Sequence, residues 1–321
     1  CLSADAGFFM EILTDCLLNA SFPDPEVTKQ KTVQLAAIDE EHERPIFMAQ
    51  EALRELLFPG HPYRLHPLGR KDTVSRIARD SLLANFRKHV VAGNVVLSVF
   101  GDVTPDQALQ LAEGRLAGVP KGPSPLAACA KAQPKLPARS ERREPREQAI
   151  VLAGFPGISV KDPRVDAMTL LQYVMNGLSS DLGIAVRENR GLAYFVGAYQ
   201  QIGVEPGAYV IYAGTHEKAV PEVEKLFNGE INRLVTQGIR PEELDRAKNQ
   251  IIADYEMSLQ DNMAVAMNSA LDELYGLGFQ HAFDTRRRFE AVTADAIKRA
   301  AASVLSTNGA AMAIVLPEKK E

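Results

Sequence analysis

Residues 186–200 read VRENRGLAYFVGAYQ. The charged half, down to Arg190, has the character of a helix end, and the half after Gly191 alternates aromatic and small apolar residues in the manner of a strand. A glycine just past a last helical turn suits the left-handed conformation that closes many helices. The two-residue period of a strand then puts Leu192, Tyr194 and Val196 on one face and Ala193 and Phe195 on the other. A second strand, GAYVIYAGT at 207–215, follows across the turn GVEPG, so the two read as an antiparallel hairpin.

The same reading extends outward. Upstream lie a strand, QAIVLAGFPG at 148–157, and helices over about 163–176 and 179–189, the second opened by Ser179, Ser180 and Asp181 as N-cap residues. Downstream come helices over 217–236, 241–259, 262–275, 283–290 and 293–305, with Met257, Met263 and Met267 expected as core fill, and then the strand AAMAIVLPE. In the first part of the chain, Phe8, Phe9, Ile12, Leu13 and Leu17 make one apolar face of a helix ending at Leu18. A long helical stretch from Glu26 to Phe58 is split by Pro45. Short helices at 71–77 and 80–89 precede a strand, NVVLSVFGD, and a helix capped by Thr104 with Pro105 at its first position. Between the two parts, residues 120–147 mix prolines with the basic run ARSERREPRE and read as a solvated linker, its glutamates interleaved with its arginines.

The parts repeat one another. Asp80 and Asp295 each stand as a cap before an amphipathic helix; Asn94 or Asn308 and an apolar strand follow, at an offset of about 215 residues. The same offset carries DPEVTKQK onto RPEELDRAK. The expected fold class is α+β: a duplicated α/β sandwich domain, mostly antiparallel sheet with helices on one face, the first copy incomplete. The expected domains are 1–119, the C-terminal part of the first copy; 120–147, the linker; and 148–321, the complete second copy. The arithmetic places about 70 residues of the first copy outside this sequence.

Composition narrows the function classes. With 321 residues, 46% hydrophobic and 24% charged, the chain is long enough for two cores. A net charge of −5 argues against broad phosphate binding, so no nucleic-acid partner is expected. No run of 18 apolar residues occurs. Cys1, Cys16 and Cys129 are too few and too scattered for a disulfide framework or a zinc ribbon, and the compartment stays open between periplasm and cytoplasm.

Two long stretches, LLFPGHPYRLHPLG with NVVLSVFGDVTPDQALQLAE after it, and NGLSSDLGIAVRENRGLAYFVGAY, together resemble the insulinase/pitrilysin family of zinc metallopeptidases, the inverzincins. The likeness is greatest to the subfamily of paired two-domain subunits, such as the processing peptidases. The resemblance implies a zinc held by a His-x-x-Glu-His helix in the first domain and by a later Glu. This sequence carries no His-x-x-Glu-His, and the register set by Leu35, Ile38 and Pro45 puts Ala37 at the third-ligand position. Glu40 and Glu41 are the nearby acids that a register shift would substitute for it. The resemblance also implies that Arg187 and Tyr194 face the zinc across a chamber, hold the substrate backbone and stabilise the oxyanion. Asp181 departs from the family, which tends to carry a basic residue there.

Three functions follow as expectations. In the first, the chain is the non-catalytic subunit or half of such a peptidase, inactive alone. It lends Arg187 and Tyr194 to a zinc-bearing partner in a hetero- or homodimer that takes peptide substrates. In the second, it is the C-terminal part of an active zinc endopeptidase with its motif upstream. In the third, it is a zinc-free assembly or scaffold subunit. Outside these motifs, His61 and His66 flank PYRL in what reads as an exposed turn, and none of the six histidines pairs at helical spacing.

Overall fold

Proline lacks an amide hydrogen, and Pro45 accordingly divides the long helical stretch and sits at the start of its second half, with Arg44 extended ahead of it. The computed structural model describes residues 1–125, 129–177, 180–188, 191–306 and 309–318, with backbone alone at Arg187 and Glu188. Ser179 and Asn308 lie outside the described residues. In chain order the elements are α1 (Ala6–Leu18), α2 (Asp24–His42), α3 (Pro45–Leu57), α4 (Lys71–Val74), α5 (Arg79–His89) and α6 (Pro105–Leu116). Next come β1 (Ala138–Glu144), β2 (Ala149–Pro156), α7 (Val165–Met175), α8 (Asp181–Gly183), β3 (Ala193–Gln201) and β4 (Ala208–Thr215). The last are α9 (Val220–Thr236), α10 (Pro241–Ser258), α11 (Asn262–Leu274), α12 (Thr285–Ala291), α13 (Ala294–Val304) and β5 (Ala311–Pro317).

The chain divides into two units, one of Cys1–Ile38, Leu68–Ala128 and Glu256–Asp284, the other of Asp39–Pro67, Cys129–Tyr255 and Thr285–Glu321. The first is built of helices among the described residues. Lys31 donates to the carbonyls of Ser75 and Ile77, and Arg79 to those of Ser21 and Phe22, so long cations tie loops to α2 and α5. Thr104 caps α6 as expected, in a reciprocal box with Gln107. Three expectations change here. Val95–Phe100 forms no strand among the described residues, because a strand is made by its neighbours' hydrogen bonds and not by its own composition. Met263 is 73% exposed, and Met257 and Met267 are exposed with it. On α11 the inward positions are Val265 and Ser269, two residues out of phase with those methionines. The apolar face of α1 is likewise outward at Phe8, Phe9, Ile12 and Leu13, while Met10 and Thr14 are buried.

The second unit carries the expected fold class: a five-stranded sheet in the order β1-β5-β2-β4-β3, antiparallel except for β1 beside β5. The run AIVLAGFP of β2 is continuously apolar because both of its faces are covered. Val151, Ala153 and Phe155 meet α7, α9 and α13 on one side. Ile150 and Leu152 meet Ala49, Ala52, Leu53 and Leu57 of α3 on the other. The second face, expected to lack helices, thus takes α3, and it takes it closely. A Cβ on Gly154 would stand 2.7 Å from Leu53 and 2.9 Å from Leu57.

The basic run does not form part of a linker. Ala138–Glu144 is the edge strand β1, with Arg139, Glu141 and Arg143 pointing outward. Each cation has a carboxylate: Arg139 pairs with Glu141 and Glu224, Arg142 with Glu51 and Glu55, Arg143 with Glu217. Charged side chains on an edge discourage pairing with another chain, which accounts for the composition without an anionic partner. Asp80 and Asp295 also change role. Helices α5 and α13 start one residue earlier than they do, at caps Ala78 and Thr293, so both aspartates stand in first turns and act on the helix dipole. Their equivalence in the repeat is kept.

Candidate functional site

The helix end and hairpin of residues 186–200 form a tight local structure. Ser180 caps α8, its hydroxyl accepting from the Gly183 amide at 3.0 Å and donating to the Gly177 carbonyl at 2.8 Å. The chain then widens into a π-helical turn, Ile184–Glu188, a conformation frequent at functional sites. Arg187 belongs to this turn; its side chain lies outside the described part of the structure. Gly191 takes φ 57°, the expected left-handed value. The Leu192 amide donates back to the Val186 carbonyl at 2.9 Å, which joins the turn that carries Arg187 to the strand that carries Tyr194.

Tyr194 does not share a face with Val196. The β3–β4 register pairs Ala193 with Thr215 and Phe195 with Gly214, so a bulge leaves Tyr194 as the extra residue. Ala193 and Val196 pack into one core and Phe195 into the other, and Tyr194 stands 50% exposed between them. The two-residue period fails at this position because a bulge inserts a residue into it, and bulges serve to re-aim a side chain. The Tyr194 hydroxyl lies 3.1 Å from Nε2 and 3.4 Å from Nδ1 of His216, with the rings edge to face at 5.1 Å. His216 follows Thr215, which is fully buried and donates its hydroxyl to the Leu192 carbonyl. Nothing in the one-dimensional spacing marks His216; only the hairpin register brings it beside a tyrosine 22 positions earlier.

The turn is anchored from below by charge. Arg240 holds Asp181 with two hydrogen bonds, 2.6 and 2.9 Å, and Arg233 lies 3.6 Å away. Arg233 in turn bonds Glu230 and the buried Glu243, whose carboxylate also accepts the Arg240 backbone amide at 2.7 Å. Asp181 is thus an acid with its own arginine. The hydrogen bonds from Arg240 hold the Asp181 carboxyl below the usual carboxylate range, and Arg233 and Arg246 add to the effect. A depressed carboxyl stabilises the folded state above its unfolded value of about 3.9 and loses that contribution as pH falls through the folded value. Asp181→Asn should therefore cost roughly 0.5–1 kcal/mol at neutral pH, discounted because Arg240 is half exposed. Urea unfolding of the two proteins should show that gap at pH 7, and the gap should narrow as the pH falls below about 3.9. Beside the turn lies a cleft of about 470 Å³ whose lining includes Leu182, Ile184, Ala185 and Leu226 together with Asp181 and Glu222.

The implied zinc does not fit the described residues. No three His, Cys, Asp or Glu side chains converge among them. The side chain of Ala37, which the resemblance puts at the third-ligand position, has no donor atom; of the nearby acids, Glu40 pairs with Arg44 at 3.0 Å, and the buried Oε2 of Glu41 lies 3.4 Å from His66 without a hydrogen bond. His61 is not in an exposed turn. It is 5% exposed, its Nδ1 accepts the Tyr63 amide at 3.1 Å, and its ring lies against Phe58 and Tyr63. His66 packs edge-on to Phe47, and burial, with Arg54 nearby, pushes its imidazole below the ordinary value.

With this geometry in place, known proteins are informative. A family model described as the peptidase M16 inactive domain matches residues 76–251. An uncharacterized zinc protease of Rickettsia bellii is 30% identical over 260 residues, 80% of this chain and 62% of that protein. A non-peptidase homolog, YmxG, of Helicobacter pylori is 25% identical over 275 residues, 82% of this chain and 61% of that one. The chain thus spans a little over three fifths of the length of these relatives. Among solved structures, a peptidase M16 inactive domain from Pseudomonas fluorescens superposes with a TM-score of 0.87 at 24% identity, covering 97% of this chain and 75% of that one. The fold described above is thus a known one, and this chain belongs to the peptidase M16 family, its residues 76–251 matching the part described as the inactive domain.

Proposed function

We propose that this chain is the non-catalytic half or subunit of an M16 metallopeptidase, supplying Arg187 and Tyr194 as substrate-binding groups to a chamber shared with a zinc-bearing partner of the same fold. The observation that carries the reading is the bulge that holds Tyr194 out of both cores with its hydroxyl at the surface, beside the π-turn of Arg187. Ala37, which offers no donor atom at the third-ligand position, supports a zinc held elsewhere. So does the existence of a relative named as a non-peptidase homolog. On this reading the substrate is a peptide, whose carbonyl takes the two donors as charge develops on it. Residues 1–119 would be the end of an earlier peptidase-like copy and 148–321 a later one.

The test is reconstitution. The full-length protein is co-purified with its partner, and peptide cleavage is measured for each alone and for the pair. Cleavage should need both, and Arg187→Ala should remove most of it; an undiminished rate in the Arg187→Ala pair would refute the reading. A second reading has an observation of its own. The chain spans 62% of a relative named as a zinc protease. If the zinc motif lies elsewhere in the same polypeptide, the full-length protein will contain about one zinc per chain and cleave peptides without a partner.

A further inference from the structure

We infer that Gln172 and Asn176 stand in for a further strand along the outer edge of β3, and so keep that edge from pairing with β3 of a second copy of the chain. The inference goes beyond the proposed function and does not rest on it.

The sheet has two edges, and they are guarded differently. β1 carries outward charge on Arg139, Glu141 and Arg143. β3 reads AYFVGAYQQ, nine residues with three aromatic rings, no charge and no proline. A long, uncharged edge of that composition is a template for another chain. Identical antiparallel edges meeting about a two-fold axis are its simplest closed pairing. In the structure the outward backbone of β3 is taken by side chains of α7. Asn176 Nδ2 donates to the Ala198 carbonyl at 2.8 Å, and the Ala198 amide donates back to Asn176 Oδ1 at 2.9 Å. One side-chain amide thus makes both bonds that a residue of a neighbouring antiparallel strand would make. The Gln200 amide donates to Oε1 of Gln172 at 3.0 Å. Backbone groups alternate in direction along a strand, so Ala198 and Gln200 face outward together while Tyr199 between them serves the ladder with β4.

The helix and the strand mesh in spacing. Gln172 lies in the last turn of α7 and Asn176 at its C-cap, four residues apart and about 6 Å along the axis. Ala198 and Gln200 are two residues apart on β3, about 7 Å. Successive turns of one therefore serve successive outward positions of the other. The strand makes room for the closer of the two amides at Gly197. A Cβ there would stand 2.5 Å from Asn176 Oδ1 and 2.7 Å from the Tyr212 hydroxyl. A glycine inside a strand weakens it, and often marks a place where another group must approach the backbone.

The experiment has two arms on the full-length protein. The first is amide hydrogen exchange. In Asn176→Ala the Ala198 amide should exchange at least about tenfold faster than in wild type, the worth of one hydrogen bond, while the Tyr199 amide keeps its rate. An Ala198 rate that does not change overturns the inference. The second is sedimentation velocity over a concentration series. Gln172→Ala with Asn176→Ala should self-associate at least about tenfold more tightly than wild type, since each uncovered backbone bond can be remade with a second copy. Adding Gln200→Pro removes an outward amide and leaves the ladder with β4 in place, so it should abolish the added association. A double variant that sediments as wild type does, or added association that survives Gln200→Pro, overturns the inference. Circular dichroism checks that each variant is folded. Should the double variant fail to fold, Gln172→Ala alone, which keeps Asn176, carries the same two comparisons.

Discussion

Tyr194→Phe is expected to lower peptide cleavage by the assembled peptidase about 100-fold, through kcat with KM little changed. The substitution removes one oxygen and leaves the aromatic ring. Tyr194 stands at a bulge and packs in neither core, so the folded structure has little to lose. On the proposed function, what is lost is a donor placed where negative charge develops, and single donors of that kind are worth about 10²–10³ in rate. A group that acts only in the transition state lowers kcat and kcat/KM together. A rise in KM at constant kcat would show that the hydroxyl binds ground-state peptide only, and an unchanged rate would remove Tyr194 from the site. Thermal unfolding of the variant is the control, and its midpoint should lie within a degree or two of wild type.

Glu243→Ala should destabilise the chain by about 3 kcal/mol, the lower end of the range for breaking a buried ion pair. Glu243 is 1% exposed and serves three donors: the Arg233 guanidinium, the Arg240 guanidinium and the Arg240 amide at the start of α10. Burial works against the charge of Arg233, and Glu230 and Glu243 outweigh it, so that its guanidinium is held above the ordinary range. Removing Glu243 leaves Arg233 with Glu230 and the more distant Asp181, and leaves a helix amide uncapped. Glu243→Gln keeps an acceptor of the same shape and should cost less. Urea denaturation at pH 7 measures both. The effect should also reach the site, since Arg240 and Arg233 hold Asp181 at the foot of the π-turn that carries Arg187. A Glu243→Ala protein as stable as wild type would show that the network adds nothing to the fold.

Local patterns and hairpin chemistry were legible in the residues. The Pro45 break, the Thr104 cap, the glycine that closes the helix at 191 and the β3–β4 hairpin each depend on a few neighbouring residues, and each is where the sequence predicts it. Apolar periodicity was a poorer guide to burial. It marks a face of α1 as apolar, yet that face is outward, and it says nothing about which side of α11 is covered. Periodicity reports that a face exists; whether it is buried depends on what packs there. The stretch Val95–Phe100 teaches the same lesson for strands, since a ladder needs a second strand. Composition misassigned ARSERREPRE because an edge strand and a linker both favour charge, and only pairing with β5 tells them apart.

The residues alone pointed to the family and the α+β class, and they are the ground for proposing Arg187, Tyr194 and Ala37 as the positions where its chemistry is kept or lost, because these are matters of which side chain stands at which point of a motif. The tertiary structure decided how Tyr194 is aimed and what stands beside it. A bulge shifts the strand's period by one residue, and the antiparallel register brings His216 to the phenol from the far end of the hairpin. In the same way it set Arg240 against Asp181, 59 residues away, so that an acid at the foot of the turn is neutralised from a distant part of the chain. Such partners are separated in sequence by whole elements, and only the hydrogen bonds between those elements bring them together.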